Sequence, residues 1–113
     1  MKINRQGETL RVSEINELGL ANAASFRAKM RAALASGARL IVIDLSATTV
    51  MDCSGIGALI ALLKDARHSH DRISVQLVNP TPLVRQLSRL THQDHVFETA
   101  INSQENSVAI ANR

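Results

Sequence analysis

Asp52-Cys53-Ser54 places a carboxylate, a thiol and a hydroxyl in successive positions, directly before Gly55-Ile56-Gly57 and a long apolar run. A serine at the mouth of a helix has two uses. Its oxygen can accept a bond from an orphan N–H of the first turn, stabilising the helix by about 1 kcal/mol, or its hydroxyl can receive a group from another molecule. Spacing alone favours the cap for Ser54, because serine is among the preferred cap residues. The glycines argue for something more. Each costs up to about 1 kcal/mol relative to alanine inside a helix, and a backbone without Cβ atoms lets a second molecule approach the hydroxyl. Gly55 and Gly57 are therefore expected to serve a partner.

Other chemistries fit less well. A serine hydrolase would place its nucleophile in a Gly-x-Ser-x-Gly elbow, which this segment is not, and 113 residues leave little room for a substrate pocket. No enzymatic activity is expected. His68-Ser69-His70 and His92-Gln93-Asp94-His95 stand in polar, loop-like stretches where solvated histidines are the ordinary outcome, so no metal or other cofactor is expected. Cys53, the only cysteine, excludes an internal disulfide and a multi-cysteine zinc site. Its expected fate is that of a small buried hydrophobe, not a reactive thiol.

The elements that must position Ser54 can be read from periodicity. Glu8 to Ser13 alternates polar and apolar, predicting a half-exposed edge strand that runs on toward Leu18. From about Asn22, Ala23, Phe26, Met30 and Leu34 recur at helical spacing until Ser36-Gly37. Leu40-Ile41-Val42-Ile43, closed by Asp44-Leu45, is a continuous apolar run of the kind that forms a central strand covered on both faces. Ser54 to about His68 is the second helix, with Ile56, Leu59, Ile60 and Leu63 as its stripe. Ile73 to Val78 alternates again. The unit from Leu40 to Val78 is thus strand, helix, strand, and such a crossover makes the two strands parallel. The connection from Ser46 to Cys53 is longer than usual and lies where α/β folds build their sites. Thr81 is expected to cap a third helix with Pro82 at its first position and a stripe of Leu83, Val84, Leu87 and Leu90. A short extended piece at Val96-Phe97 and a last helix from Ser103 to about Ala111 complete the expectation.

Composition sets the outer limits. Hydrophobic residues make up 45% and charged residues 20%, which is globular, and the length suits one domain over residues 1–113. No apolar stretch approaches the length of a membrane span and residues 1–6 do not resemble a secretory signal, so a cytoplasmic protein without direct membrane insertion is expected. The net charge of +3 comes from scattered basic residues, and two phenylalanines are the only aromatics apart from histidine. Nucleic acid is not an expected partner.

With those readings in place, "LIVIDLSATTVMDCSGIGALIALLKDAR" followed by "ISVQLVNPTPLVRQLSRL" resembles the STAS domains of bacterial anti-sigma factor antagonists. In that family an Asp-Ser-Ser-Gly-(Leu/Ile)-Gly segment opens the second helix; here it reads Asp52-Cys53-Ser54-Gly55-Ile56-Gly57, and the motif's second serine falls on Ser54. The resemblance spans nearly the whole chain, in the same order of elements. It implies an α/β fold with a mixed, mostly parallel central sheet of about four strands and helices packed on it. It also implies a partner switch that regulates transcription. A serine kinase of the histidine-kinase-like ATPase type, which sequesters a sigma factor, binds the unphosphorylated antagonist and so releases the sigma factor; phosphorylation of the family's serine undoes the complex, and a serine phosphatase resets it. Ser54 inherits the phosphorylated position, and residues 52 to 57 the partner surface. Two positions depart from the family pattern. Cys53 replaces the first serine, and the family's early Gly-Glu-Leu-Asp appears as Asn16-Glu17-Leu18-Gly19, without its final carboxylate. The rival expectation keeps the fold and drops the phosphorylation, as a STAS scaffold or the accessory subunit of a membrane transport complex.

Overall fold

The computed structural model describes residues 1–69 and 73–90. Strand β1 (Lys2–Gln6) turns through Gly7-Glu8 into β2 (Thr9–Ser13), and a two-residue strand β3 (Glu17–Leu18) leads into helix α1 (Ala23–Leu34). Strand β4 (Leu40–Asp44), a second two-residue strand β5 (Val50–Met51), helix α2 (Cys53–Arg67), strand β6 (Ser74–Val78) and helix α3 (Pro82–Leu90) follow. The main sheet has the order β1-β2-β4-β6, with β1 antiparallel to β2 and the other pairs parallel. The mixed, mostly parallel four-stranded α/β architecture is the one expected.

Register places Leu10, Ile41 and Val75 in one row and Val12, Ile43 and Leu77 in the next. These rows form the floor of a single core with Phe26 and Met30 of α1 and Ile56, Leu59 and Leu62 of α2 above it. Helix α2 also buries Ala58 and Ala66 beside Ile60, and Leu63 only partly, because it is wedged among α1, α3 and the sheet and the expected stripe of Ile56, Leu59, Ile60 and Leu63 could not cover all three neighbours. Gly37, at φ 88°, ends the α1 excursion in the left-handed region that glycine reaches without strain.

Three readings need correction. Strand β2 is internal, and the edge is β1, whose residues are all exposed: a strand with no buried face carries no apolar alternation to read. Nor does β2 run on to Leu18. Glu14 adopts φ 56°, which breaks the pleat, and the chain restarts as β3 beside β5. The expected α3 stripe loses Leu90, which is 67% exposed at the end of its helix. Thr81 does cap α3, its hydroxyl oxygen accepting from Val84 N–H at 3.4 Å. The expectations for Val96-Phe97 and residues 103–111 lie outside the described residues. No helix among the described residues is long and apolar enough to cross a membrane.

Candidate functional site at the start of the second helix

The connection between β4 and α2 is built on one buried threonine. Thr48 is fully buried, donates its hydroxyl to Ile15 O at 2.6 Å and accepts at its own carbonyl from the Thr81 hydroxyl at 3.0 Å. Next to it, Thr49 N–H and Val50 N–H both donate to Asn16 O, at 3.1 and 3.3 Å. These bonds hold β5 parallel to β3, with Glu17 opposite Val50 and Leu18 opposite Met51. What the sequence shows as an eight-residue loop is therefore a strand-bearing platform from which α2 departs.

Asp52 leaves β5 in an extended conformation, φ −129° and ψ −174°, and caps α2. Its Oδ1 accepts from Ser54 N–H at 2.8 Å and Gly55 N–H at 3.1 Å, and its Oδ2 accepts from Leu20 N–H at 3.0 Å. Ser54, expected on spacing to be the cap, is the second helical residue. The physical reason is that Asp52 is the residue still extended, so its side chain and not that of Ser54 faces the free N–H groups. The Leu20 N–H first, then those of Gly55 and Ser54, hold the Asp52 carboxyl below the usual range, so it is ionised at neutral pH.

The six motif residues divide by burial. Asp52, Cys53 and Gly57 are exposed and Ser54 is half-buried, whereas Gly55 and Ile56 are buried. Cys53 is thus no buried hydrophobe: as the first helical residue it points away from the core that begins at Ile56. The two glycines have different reasons. A Cβ on Gly55 would overlap the Leu18 carbonyl, coming 2.8 Å from its carbon and 3.1 Å from Met51 Cγ, so this glycine lets α2 lie against the β3–β5 pair. At Gly57 nothing lies within 4 Å, and that space is open to another molecule. The Ser54 hydroxyl has no hydrogen-bond partner among the described residues.

Two further residues belong to the surroundings of the site: Gly19, which the sequence marked as a departure from the family pattern, and Leu20, which it did not mark. Gly19 is buried, and a Cβ there would meet Asp52 Oδ2 at 2.8 Å and Cγ at 3.2 Å. The residue that breaks the family pattern is the one that gives the Asp52 carboxylate its room. Leu20 follows it and is 80% exposed. The contact between residues 19–20 and 52 spans more than thirty positions of sequence, and no local pattern announces it. Of the histidines, His68 is exposed, while His70, His92 and His95 lie outside the described residues. No cluster of three His, Cys, Asp or Glu side chains able to hold a metal occurs among the described residues.

A family model described as the STAS domain matches residues 1–107. Among solved structures, the candidate anti-sigma factor antagonist TM1081 from Thermotoga maritima matches with a TM-score of 0.68 and 23% identity, over 84% of this chain and 80% of its own. The anti-sigma factor antagonist SpoIIAA in its unphosphorylated form matches at 0.60 and 22% identity, over 79% of this chain and 81% of its own. The Bacillus cell fate determinant SpoIIAA in its phosphorylated form gives 0.60 and 21% identity, over 81% and 83%. The structural likeness shows a shared fold, and with a family model spanning residues 1–107, the chain belongs to the STAS domain family.

Proposed function

We propose that this protein is an anti-sigma factor antagonist that acts by phosphorylation-controlled partner switching at Ser54. Unphosphorylated, it binds an anti-sigma factor serine kinase of the histidine-kinase-like ATPase type and frees a sigma factor; phosphorylated at Ser54, it lets go, and a serine phosphatase restores it. The observation that carries this reading is the division of labour at the start of α2. Asp52 satisfies the first-turn N–H groups, so the Ser54 hydroxyl, half-buried at the surface, has no structural duty toward the described residues. A hydroxyl in that position is free to accept a phosphate without loss of the cap. Membership of the STAS family and a fold shared with SpoIIAA, described in both phosphorylated and unphosphorylated forms, support the same reading.

The electrostatics supply the switch. A phosphate carries about −1.5 to −2 charges at pH 7, and the positive end of α2 tolerates it within the free protein. A partner packed over Ser54 would have to desolvate that charge beside the ionised Asp52 carboxylate, and without a facing arginine the interface could not recover the cost. The test is a pull-down from the native cell followed by incubation of the captured ATP-binding protein with this chain and ATP, and peptide mass mapping. One phosphate on Ser54 is the expected result. Phosphate on Ser46 or Thr48 with Ser54 bare would overturn the site, and a complex indifferent to ATP would move the function to a non-phosphorylated scaffold or transporter accessory subunit.

A further inference from the structure

Strand β1 is an end of the main sheet. Its inner side is laddered to β2, no described strand lies on its outer side, and all five of its residues are exposed. Which backbone groups it turns outward follows from the hairpin. Gly7, at φ 60°, and Glu8 form a two-residue turn closed by the pair Gln6 and Thr9, and the pair that closes such a turn exchanges both of its N–H···O bonds. Alternation along the ladder then makes Asn4–Arg11 and Lys2–Ser13 the other hydrogen-bonded pairs, with Ile3–Val12 and Arg5–Leu10 between them as unbonded ones. The N–H and C=O of Ile3 and of Arg5 therefore point to the open edge. The Ile3 side chain is 43% exposed beside them.

A bare edge offers its backbone to any extended chain, so the side chains decide what fits. A second copy running antiparallel about a two-fold axis through Asn4 sets Ile3 opposite Arg5, Lys2 opposite Gln6 and Asn4 opposite itself. The Ile3–Arg5 pairs, one on either side of the axis, bring together the two residues whose backbone groups are free. The Arg5 guanidinium is drawn away to Gly7 O at 3.0 Å and Ser36 O at 2.9 Å, so its aliphatic stem, not its charge, meets Ile3. Positive charges on an edge ordinarily discourage pairing, but here Lys2 and Arg5 each face an uncharged residue. The neighbouring registers are worse. A shift of one residue sets the free groups of Ile3 and Arg5 against groups already bonded to β2. A shift of two residues sets Arg5 opposite Arg5 in one direction, and in the other leaves Arg5 and Gln6 with no strand residue to face. In-register parallel pairing sets both Lys2 and Arg5 against themselves.

We propose that β1 is a self-pairing edge, through which two copies of this chain join their four-stranded sheets into one continuous sheet, in the register that sets Ile3 opposite Arg5. The proposal does not depend on phosphorylation. Helix α2 packs on α1, α3, β3, β5 and β6, so the joined edge does not involve the helix that carries Ser54. So short an edge makes the dimer weak and reversible. Two-fold pairing consumes the β1 edge of both copies, and assembly through it stops at two.

Sedimentation velocity of the full chain, followed by interference optics because it has no Trp or Tyr, reads the equilibrium at concentrations up to about 1 mM. The parent should shift from monomer to dimer as concentration rises and go no further. Ile3→Pro removes an outward N–H and leaves the β2 ladder intact; it takes one bond from each side of the axis and should weaken dimerisation about 5- to 150-fold. Ile3→Lys sets like charges opposite on both sides of the axis and should weaken it about 2- to 30-fold. Ile3→Glu, whose carboxylate faces Arg5, should dimerise more tightly than Ile3→Lys, and the gap between them should narrow at high salt. All three should melt close to the parent when dilute, and if Ile3→Pro does not fold, the Lys and Glu variants decide alone. A parent that stays monomeric at every concentration overturns self-pairing and leaves the edge to an extended segment of another protein. A dimer that Ile3→Pro leaves unchanged, or that treats Ile3→Lys and Ile3→Glu alike, forms through another surface and overturns the proposal, as does assembly beyond two.

Discussion

The same substitution, glycine to alanine, should have opposite signs at two positions only two residues apart. At Gly57 the added methyl meets nothing within 4 Å, so helix propensity alone acts and should raise stability by about 0.5 to 1 kcal/mol. At Gly55 the same propensity gain is opposed by overlap with the Leu18 carbonyl. That carbonyl cannot swing aside cheaply, because Leu18 is paired with Met51 in the β3–β5 ladder and β5 is itself pinned to Asn16. The start of α2 must lift instead, and overpacking of this kind costs about 1 to 3 kcal/mol. Because the overlap is with backbone, the cost lies in the upper part of that range, about 2 to 3 kcal/mol, and less a propensity gain of about 1 kcal/mol the net is a loss of about 1 to 2 kcal/mol. For a domain of this size about 4 to 8 °C accompanies each kcal/mol, so Gly57→Ala should melt a few degrees above the parent and Gly55→Ala roughly 4 to 16 °C below it. Differential scanning calorimetry of the three proteins at one pH decides it. A Gly55→Ala variant as stable as the parent would mean that the close approach of α2 to β3 is not what requires this glycine. If Gly57 is open for a partner, Gly57→Ala should also weaken kinase binding while gaining stability.

Because Asp52 is the cap, Ser54→Ala should change stability by no more than about 0.5 kcal/mol while blocking phosphorylation and keeping the partner bound. Ser54→Asp should also stay folded, yet a carboxylate placed in the interface beside Asp52 should cost about 2 to 3 kcal/mol of binding, a roughly 30- to 150-fold loss by titration with the kinase. Thr48→Val removes the donor to Ile15 O and leaves that carbonyl unsatisfied in the core, which should lower unfolding free energy by about 1 to 3 kcal/mol in a urea titration. Asp44 supplies a pH dependence. Burial works to raise its pKa, but hydrogen bonds from Ser46 and Asn79 and the Arg11 charge at 2.9 Å outweigh it, and the net lies below the ordinary 3.8. A depressed folded-state pKa contributes stability that is present above 3.8 and lost as pH falls through the lower folded value. Melting temperature measured from neutral pH downward should therefore fall less steeply in Asp44→Asn than in the parent below 3.8.

The core of the fold was legible because its signals are local and repeated. Ile41 and Ile43 announce a buried parallel strand, Phe26 and Met30 a helix face, and Thr81-Pro82 a helix start, and each occupies its expected role. Strand β1 was not legible, since an edge strand exposed on every residue shows no alternation. The β3–β5 pair was not legible either, because two residues per strand are too few for a period and the bonds that hold them come from Asn16 and Thr48.

At the site the sequence by itself determined that Ser54 stands at the opening of a helix, in a motif with a carboxylate two positions earlier and glycines on either side of Ile56. Those facts depend only on order along the chain, and they suffice to mark a position where charge would be tolerated. Only the tertiary structure decided that Asp52 caps the helix in place of Ser54, that Gly55 faces Leu18 while Gly57 faces open space, and that Leu20 lies beside Asp52. The close approach of Gly55 to Leu18 and the bond from Leu20 to Asp52 are contacts between β3 or its following turn and the β5–α2 junction, separated by more than thirty residues. Side-chain roles at such a junction follow from which backbone groups the partner segment brings within hydrogen-bonding range, and that distance is set by packing of the whole core.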